Sequence, residues 1–214
     1  MMMSRIASSR VVAVVMLACL SATGLCATGL RATGAAANSA PSDVVRRFCD
    51  VLLQTMQNAD SLGFKGRYEA LAPVVLATFD VAFMTRLSVG PSWAKLSPDE
   101  KRRAGQAFAR YITTNYASQF DGFSGERFEI LGEQRIAHAT LVRTQIVKPD
   151  GDKTAITYAL HDNDTTWQIR DVYLAGTISE LATRRSEFGG VLQQNGAAGL
   201  VKLLEQRTAA LRSG

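Results

Sequence analysis

The spacing of apolar residues changes from strand-like to helical between residues 154 and 188. Before Gly176, apolar residues alternate with small or polar ones on both sides of an Asp- and Asn-rich loop at 161–165, which predicts a β-hairpin with one buried face. After Gly176 the spacing becomes helical, so a helix should follow the hairpin and cover it. The alternating residues are Ile156, Tyr158, Leu160, Trp167 and Ile169, and the helical ones are Leu181, Arg184, Arg185 and Phe188.

Helical spacing dominates the chain before residue 121 and predicts four helices there. The first should be capped by Ser42 or Asp43 and end near residues 58–60, because its apolar residues follow a period of about 3.6. A loop at 63–66 should separate it from a second helix that begins at Arg67.

The third and fourth helices have clear start signals. Asp80 is placed to cap a short helix, and Gly90 followed by Pro91 should stop it. Ser97 and Glu100 form a capping box around a proline, which predicts the start of a long helix. The apolar residues on these two helices are Phe83, Met84, Leu87, Phe108, Tyr111, Ile112, Tyr116 and Phe120.

The period changes from helical to two after residue 122. Four strands are predicted at 128–131, 138–148, 156–160 and 166–174, with a hairpin turn at 149–152. The short connections favour an antiparallel meander.

Two further helices should close the chain, one ending near residues 189–190 and one at 197–211. The predicted class is therefore α+β, with a four-stranded antiparallel sheet and the N- and C-terminal helices packed on one face.

The first 37 residues are typical of a secretory signal. Arg5 and Arg10 precede an apolar run at 11–20, and small residues end at Ala37, where we expect cleavage. The run is shorter than the about 20 residues that span a bilayer. The mature chain, residues 38–214, should then be one secreted domain.

The net charge falls once this segment is set aside. The chain has 24 Lys and Arg against 19 Asp and Glu, and Arg5, Arg10 and Arg31 lie in the presequence, which leaves a net charge of +2. A nearly neutral chain gives no reason to expect nucleic-acid binding. Cys49 alone survives cleavage, so no intrachain disulfide is expected and a buried, inert thiol is.

Candidate catalytic chemistry is sparse. His138, on a predicted strand, and His161, in a predicted turn, have no Cys or acid at metal-ligand spacing, and both are predicted to be structural. The acidic turns at 150–152 and 162–164 have too few ligands for calcium. No enzyme activity, metal or cofactor is predicted. The apolar sheet face and its helical cover could instead close into a solid core or enclose a cleft.

Seven short motifs follow one another in the mature chain. They are Asp80-Val81-Ala82-Phe83-Met84, Trp93, Ser97-Pro98-Asp99-Glu100, Val142-x-Thr144-x-Ile146, Ile156-x-Tyr158-x-Leu160, Trp167-x-Ile169-x-Asp171-Val172 and Arg185-x-x-Phe188. In this order and spacing they resemble the MlaC / toluene-tolerance family of periplasmic lipid carriers. The segment 176–185 is similar to the hopanoid-associated branch called HpnM.

The resemblance implies an apolar cavity that holds a phospholipid or hopanoid tail. It also implies a monomeric carrier that moves lipid between an inner-membrane transporter component and an outer-membrane lipoprotein complex, without ATP or cofactor. The side chains expected to line the cavity are Phe83, Met84, Leu87, Phe108, Tyr111, Ile112, Tyr116, Val142, Thr144, Ile146, Ile156, Tyr158, Trp167 and Ile169, of which about half should touch ligand.

Asp171 shares the strand phase of Trp167 and Ile169, so it should face the helices and pair with Arg185, or otherwise with Arg184. A bulge that exposes Asp171 is the alternative. Two other functions stay open: a small-molecule enzyme of similar fold with His138 or Asp171 as base, and an envelope interaction protein with a filled core.

Overall fold

The structure, a computed structural model, describes residues 40–163, 165–175 and 177–213. The predicted signal sequence, Asp164 and Gly176 lie outside the described residues. The elements in chain order are α1 (Pro41–Gln57), α2 (Ala59–Thr78), α3 (Val81–Val89), a 3₁₀ helix (Gly90–Lys95), α4 (Pro98–Gln119), β1 (Arg127–Ile136), β2 (Ala139–Val147), β3 (Lys153–Asp162), β4 (Trp167–Leu174), β5 (Ile178–Ser179) and α5 (Glu180–Ser213).

The strands form one antiparallel sheet in the order β1-β2-β3-β4-β5, so the predicted meander is correct. The predicted number of four strands is wrong, because β5 adds a fifth. β5 has two residues and pairs Ile178 with Leu174 and Ser179 with Tyr173. A strand of two residues is too short to show the alternation by which a strand is recognised in a sequence.

The start signals were predicted correctly for two helices and wrongly for one. The Ser97 side chain and the Glu100 side chain each bond the other's backbone N–H at the start of α4, and Asp80 accepts from the Phe83 N–H at 3.0 Å. The first helix begins at Pro41 instead, with Ala40 as an N-cap that makes no side-chain bond. Proline at the first helical position supplies the start signal there.

Two glycines break helices inside the breaks that the sequence predicted, at 63–66 and between 190 and 197, and each observed break is narrower than the predicted one. α2 starts at Ala59 and is interrupted at Gly63, at φ 56°, in place of the predicted loop 63–66. α5 is interrupted at Gly196, at φ 61°, and runs through the pair at 189–190. Only glycine adopts such positive φ angles without strain, so the chain changes direction at these two points.

The core lies between the helices and one face of the sheet. Phe48 of α1 packs edge-to-face against Phe79 and Tyr116, with ring centroids 5.2 and 5.1 Å apart. Arg143, on the opposite sheet face, is exposed. The fully buried residues of the inner sheet face are Val142, Thr144, Tyr158, Leu160 and Ile169.

Cys49 is buried in this core. Burial raises the pKa of its thiol to about 12, the nearby Asp50 carboxylate adds to the rise, and Arg46 and the Tyr158 hydroxyl oppose it. The thiol is therefore protonated at neutral pH, as expected of an inert buried cysteine. Among the described residues no helix is both long and apolar enough to cross a membrane.

Candidate functional site

A cavity of about 180 Å³ lies between α4, the inner face of β3 and β4, and the first turns of α5. Its walls are apolar or aromatic and its polar groups come from α4 and α5. The lining residues are Phe79, Met84, Phe108, Tyr111, Ile112, Asn115, Tyr116, Gln119, Phe120, Ile156, Tyr158, Val172, Leu174, Glu180, Leu181 and Arg184.

Seven of the fourteen residues predicted to line a cavity do so. They are Met84, Phe108, Tyr111, Ile112, Tyr116, Ile156 and Tyr158. Four come from α4 and two from β3, so the structure brings the long helix and the third strand together as expected. The other seven, Phe83, Leu87, Val142, Thr144, Ile146, Trp167 and Ile169, lie elsewhere in the structure.

The structure shows why these seven residues do not line the cavity. Val142 and Ile169 are fully buried in the solid part of the core. The Thr144 hydroxyl donates to the Ile156 carbonyl at 2.9 Å, which fixes it within the sheet. Leu87 is exposed, and the Phe83 ring lies under the Arg170 guanidinium, 4.3 Å from the ring centroid. Ile146 and Trp167 are half-buried at the edge of the core.

Asp171 does not form the predicted ion pair. A bulge in β4 pairs Leu160 with Ile169 and Ala159 with Asp171, which turns Asp171 to the sheet face opposite Ile169. Its carboxylate accepts from the Ser179 hydroxyl, the Leu181 N–H and the Val172 N–H. Arg185 is exposed and lies against Gly90, and Arg184 pairs with other acids.

The residues missed by sequence reasoning belong mainly to the mouth of the cavity. Asn115 and Gln119 continue the helical spacing of Ile112 and Tyr116 along α4, so the period alone could have found them. They were not predicted because their side chains are polar and the expected lining was apolar. Leu181 was recognised as an apolar position of the helix after the hairpin but not as a cavity residue, and Phe79 lies in the short connection between α2 and α3.

Arg184 is the charged centre of the mouth. Its guanidinium donates to Glu180 at 2.9 Å and to Glu187 at 3.1 Å, and it lies 5.3 Å from the Tyr111 ring centroid. Arg207 adds a 2.6 Å bond to Glu187. Burial opposes the charge on Glu187, but the hydrogen bonds from Arg207 and Arg184 outweigh it, so the pKa of Glu187 is lowered. The network therefore holds the first turns of α5 together while Glu187 is ionised.

The deep walls of the cavity are uncharged. Burial raises the pKa of Tyr116 and that of Tyr158 well above the usual tyrosine range, and each is raised further by neighbouring groups that include Cys49. Both phenols are therefore neutral at any physiological pH. Charge is confined to the mouth, where Leu174 exposes 40% of its surface, and its strand partner Ile178 exposes 56%.

The histidines are not near this cavity. His138 is exposed in the turn between β1 and β2, not on a strand, and His161 is a half-buried residue of β3, not of a turn. Neither lines the cavity. No group of three or more potential metal ligands occurs among the described residues.

The cavity can bind an apolar group but is small for a lipid. Ligand pockets commonly measure roughly 300–1,000 Å³, and an apolar cavity of about 150 Å³ accommodates a benzene ring. At about 180 Å³ this one accepts only a short apolar segment unless its walls separate. The chemistry of the walls favours an acyl or other hydrocarbon chain over a polar substrate.

Comparisons with known proteins agree with this fold. A family model described as MlaC protein matches residues 46–206, which is most of the chain. A phospholipid-binding protein from Ralstonia solanacearum, solved in complex with a phospholipid, superposes with a TM-score of 0.69 at 18% identity, covering 79% of this chain and 97% of that one. At that identity the superposition establishes a common fold, and the family match establishes the relationship. The chain belongs to the MlaC family.

Proposed function

We propose that this protein is a periplasmic lipid carrier. The observation that carries the proposal is the cavity under α4, whose deep walls are neutral aromatic and aliphatic side chains and whose charges lie at the mouth. That distribution suits an amphiphile with its tail inside and its headgroup in water. The phospholipid bound by the structurally similar Ralstonia protein supports the same assignment.

The energetics of transport require such a cavity. Each methylene removed from water contributes about 0.8 kcal/mol, so a carrier must hide most of a tail to move it between membranes. Because the cavity is about 180 Å³, tail entry must push a wall outward. The first turns of α5 are the wall that we expect to move, since β5 ties them to the sheet through only two residues.

The finer assignment follows the resemblance seen in the sequence. We propose a phospholipid or a hopanoid as cargo, with the hopanoid-associated HpnM branch as the closer relative within the family. The carrier would act as a monomer that receives lipid from one membrane complex and delivers it to another, with an inner-membrane transporter component and an outer-membrane lipoprotein complex as partners. The predicted signal sequence would place it in the periplasm.

The enzyme alternative draws no support from the two residues that could serve as its base. His138 is exposed, and Asp171 points away from the cavity with its carboxylate bonded to Ser179. Glu180 does line the cavity, but it is paired with Arg184. A carboxylate that acts as a catalytic base would need to be free of such a partner.

Native mass spectrometry of protein purified from the periplasm tests the proposal. We expect a bound species whose mass is that of a lipid, and lipid extraction should identify it as a phospholipid or a hopanoid. Protein that arrives without lipid, and that takes up none from vesicles, would favour the filled-core interaction protein. A small polar molecule in the complex would favour an enzyme.

A further inference from the structure

A second cavity, of about 270 Å³, lies between α2, α4 and the C-terminal part of α5. We call it the α2–α4–α5 groove, and it is lined by Phe64, Lys65, Tyr68, Arg110, Thr114 and Arg212 together with Thr208 and one acid, Glu69. It shares no lining residue with the cavity under the sheet. Arg110 and Thr114 are one helical turn apart on α4, on the side opposite Ile112 and Tyr116.

Thr114 is the buried polar group of this groove. It is 1% exposed, and its hydroxyl has no hydrogen-bond partner among the described residues. Other helical threonines, Thr55, Thr85, Thr113, Thr183 and Thr208, each donate to the carbonyl four residues earlier. A buried hydroxyl without a partner costs free energy, and because Thr114 borders the groove, a ligand acceptor that bonds this hydroxyl would remove that cost.

The cations of the groove are available to such a ligand. Lys65 lies 3.7 Å from Glu69, and Arg110 lies 3.6 Å from Glu205, whereas the Arg184 and Arg207 pairs measure 2.6–3.1 Å. Loose, exposed pairs contribute little and are displaced easily by a better acceptor. Arg212 has no acidic partner among the described residues and lies 5.8 Å from the Phe64 ring centroid.

The remaining wall is aromatic. Phe64 and Tyr68 stack with their ring centroids 6.4 Å apart and an angle of 28° between their planes. Both are half-buried, so one surface of the pair is open to an apolar or planar group. The groove thus combines three cations, one acid and a buried hydroxyl with an aromatic surface.

We infer that the α2–α4–α5 groove binds a phosphate ester joined to an apolar group. Arginine recognises phosphate through paired N–H donors, and the several oxygens of a phosphate can engage the cations and the Thr114 hydroxyl together. The aromatic pair receives the apolar group. This chemistry is shared by a soluble phosphate ester and by the headgroup region of an anionic phospholipid. The inference does not depend on what fills the cavity under the sheet.

Phenyl phosphate is the probe for this site. Titration of the purified protein, followed by calorimetry and by amide chemical shifts, should show one saturable site with perturbations at residues of α2, α4 and the end of α5. Inorganic phosphate should bind there more weakly, because it lacks a group for the aromatic wall. Absence of saturable phenyl phosphate binding in the millimolar range would overturn the inference.

Thr114→Val tests whether the Thr114 hydroxyl contacts the ligand or only contributes to the fold. It removes the hydroxyl at nearly constant shape, so we expect about tenfold weaker phenyl phosphate binding, the value of one hydrogen bond to a charged group. The melting temperature should stay equal or rise, since an unpaired hydroxyl is lost. Thr113→Val is the control: it removes a hydroxyl that already bonds the Ala109 carbonyl and should leave phenyl phosphate affinity unchanged.

Charge is tested in the same way. Arg212→Ala should weaken phenyl phosphate binding several-fold, while Arg143→Ala, which removes the same charge from the outer sheet face, should not. Equal affinity in wild type, Thr114→Val and Arg212→Ala would mean nonspecific anion binding and would refute the site. Lipid carried in the other cavity should be the same in all four variants.

Vesicles identify the source of the phosphate ester. Phosphatidylglycerol vesicles that displace phenyl phosphate, where phosphatidylcholine vesicles do not, would assign the groove to an anionic lipid headgroup. Failure of both to compete, with phenyl phosphate binding intact and sensitive to Thr114→Val, would assign it to a soluble phosphate ester. Displacement that is equally strong in Thr114→Val and wild type would count against the groove as the contact.

Discussion

The carboxylate of Asp171 accepts a hydrogen bond from the hydroxyl of Ser179 at 2.6 Å, and from the Leu181 N–H at 3.2 Å. Asp171 lies on β4, whereas Ser179 ends β5 and precedes α5. One side chain therefore fastens the sheet to the start of the helix that closes the candidate lipid cavity. Ser179 in turn caps α5 by accepting from the Ala182 N–H at 3.0 Å.

Asp171→Ala should lower the free energy of unfolding by about 2 kcal/mol, because it removes a helix-start acceptor and leaves the Leu181 N–H without its partner. Urea unfolding measures this change. Arg185→Ala is the matched control and should change stability by less than about 0.5 kcal/mol, since Arg185 is exposed. Equal losses of unfolding free energy in the two variants would instead support the ion pair between Asp171 and Arg185 that the sequence suggested.

Acid should loosen the mouth of the cavity through Glu187. Its pKa is lowered in the folded protein by Arg207 and Arg184 against the effect of burial, so the folded state binds this proton less readily than the unfolded chain. The stabilisation is therefore complete above the ordinary value of 4.5 and is lost as the pH falls through the lower folded pKa.

Glu187→Gln should weaken the dependence of stability on pH. Wild type should lose stability more steeply than Glu187→Gln as the pH falls below 4.5, and the two curves should converge at the acid end. Urea midpoints recorded across that range provide the measurement. Parallel curves for the two proteins would show that Glu187 has no shifted pKa in the folded state.

Because α5 is broken at Gly196, alanine substitutions at two glycines of this helix should change stability in opposite directions. Gly196→Ala should destabilise the protein by about 1–2 kcal/mol, because alanine is strained at a φ of 61° even though the side chain meets no atom. Gly189→Ala, within the regular part of the same helix and also unobstructed, should stabilise by about 0.5–1 kcal/mol. Thermal melts of both variants test the pair, and the same sign for both would contradict a break at Gly196.

Local signals explain which parts of the fold could be predicted from the sequence. The capping box at Ser97 is complete within four residues, so α4 was placed correctly. The start of α5 depends on Asp171 reaching Ser179 across a bulge in β4, and the bulge depends on pairing with β3. The sequence left two outcomes open for Asp171, an ion pair with Arg185 and a bulge; the bulge is present, the pair is not, and the bonds of Asp171 to Ser179 and Leu181 were not predicted.

Half of the residues predicted to line the cavity do so, because a side chain can be buried without bordering a cavity. Val142 and Tyr158 are partners on neighbouring strands and share the inner face, yet only Tyr158 borders the cavity. Tyr158 borders the space left between β3 and α4, whereas Val142 is enclosed by the other residues of the core. Residue type reports that a side chain faces inward, but it does not report whether the space opposite is filled.

Filling the cavity is the sharpest test of the carrier function. Val172 is a small, buried side chain of β4 that borders the cavity, so Val172→Phe should occupy space meant for a tail. Thr144→Trp would not serve, because Thr144 is locked in the sheet by its bond to Ile156. Thr157→Phe is the control, since Thr157 lies on β3 with its side chain on the outer face.

We expect Val172→Phe to reduce co-purifying lipid several-fold with a change in stability below about 1 kcal/mol, because a real cavity accepts the added ring. Thr157→Phe should keep its lipid. Overpacking a solid core would instead cost about 1–3 kcal/mol. If Val172→Phe melts much earlier than wild type while the lipid content of the two proteins is the same, the space under α4 is core and the lipid is held elsewhere.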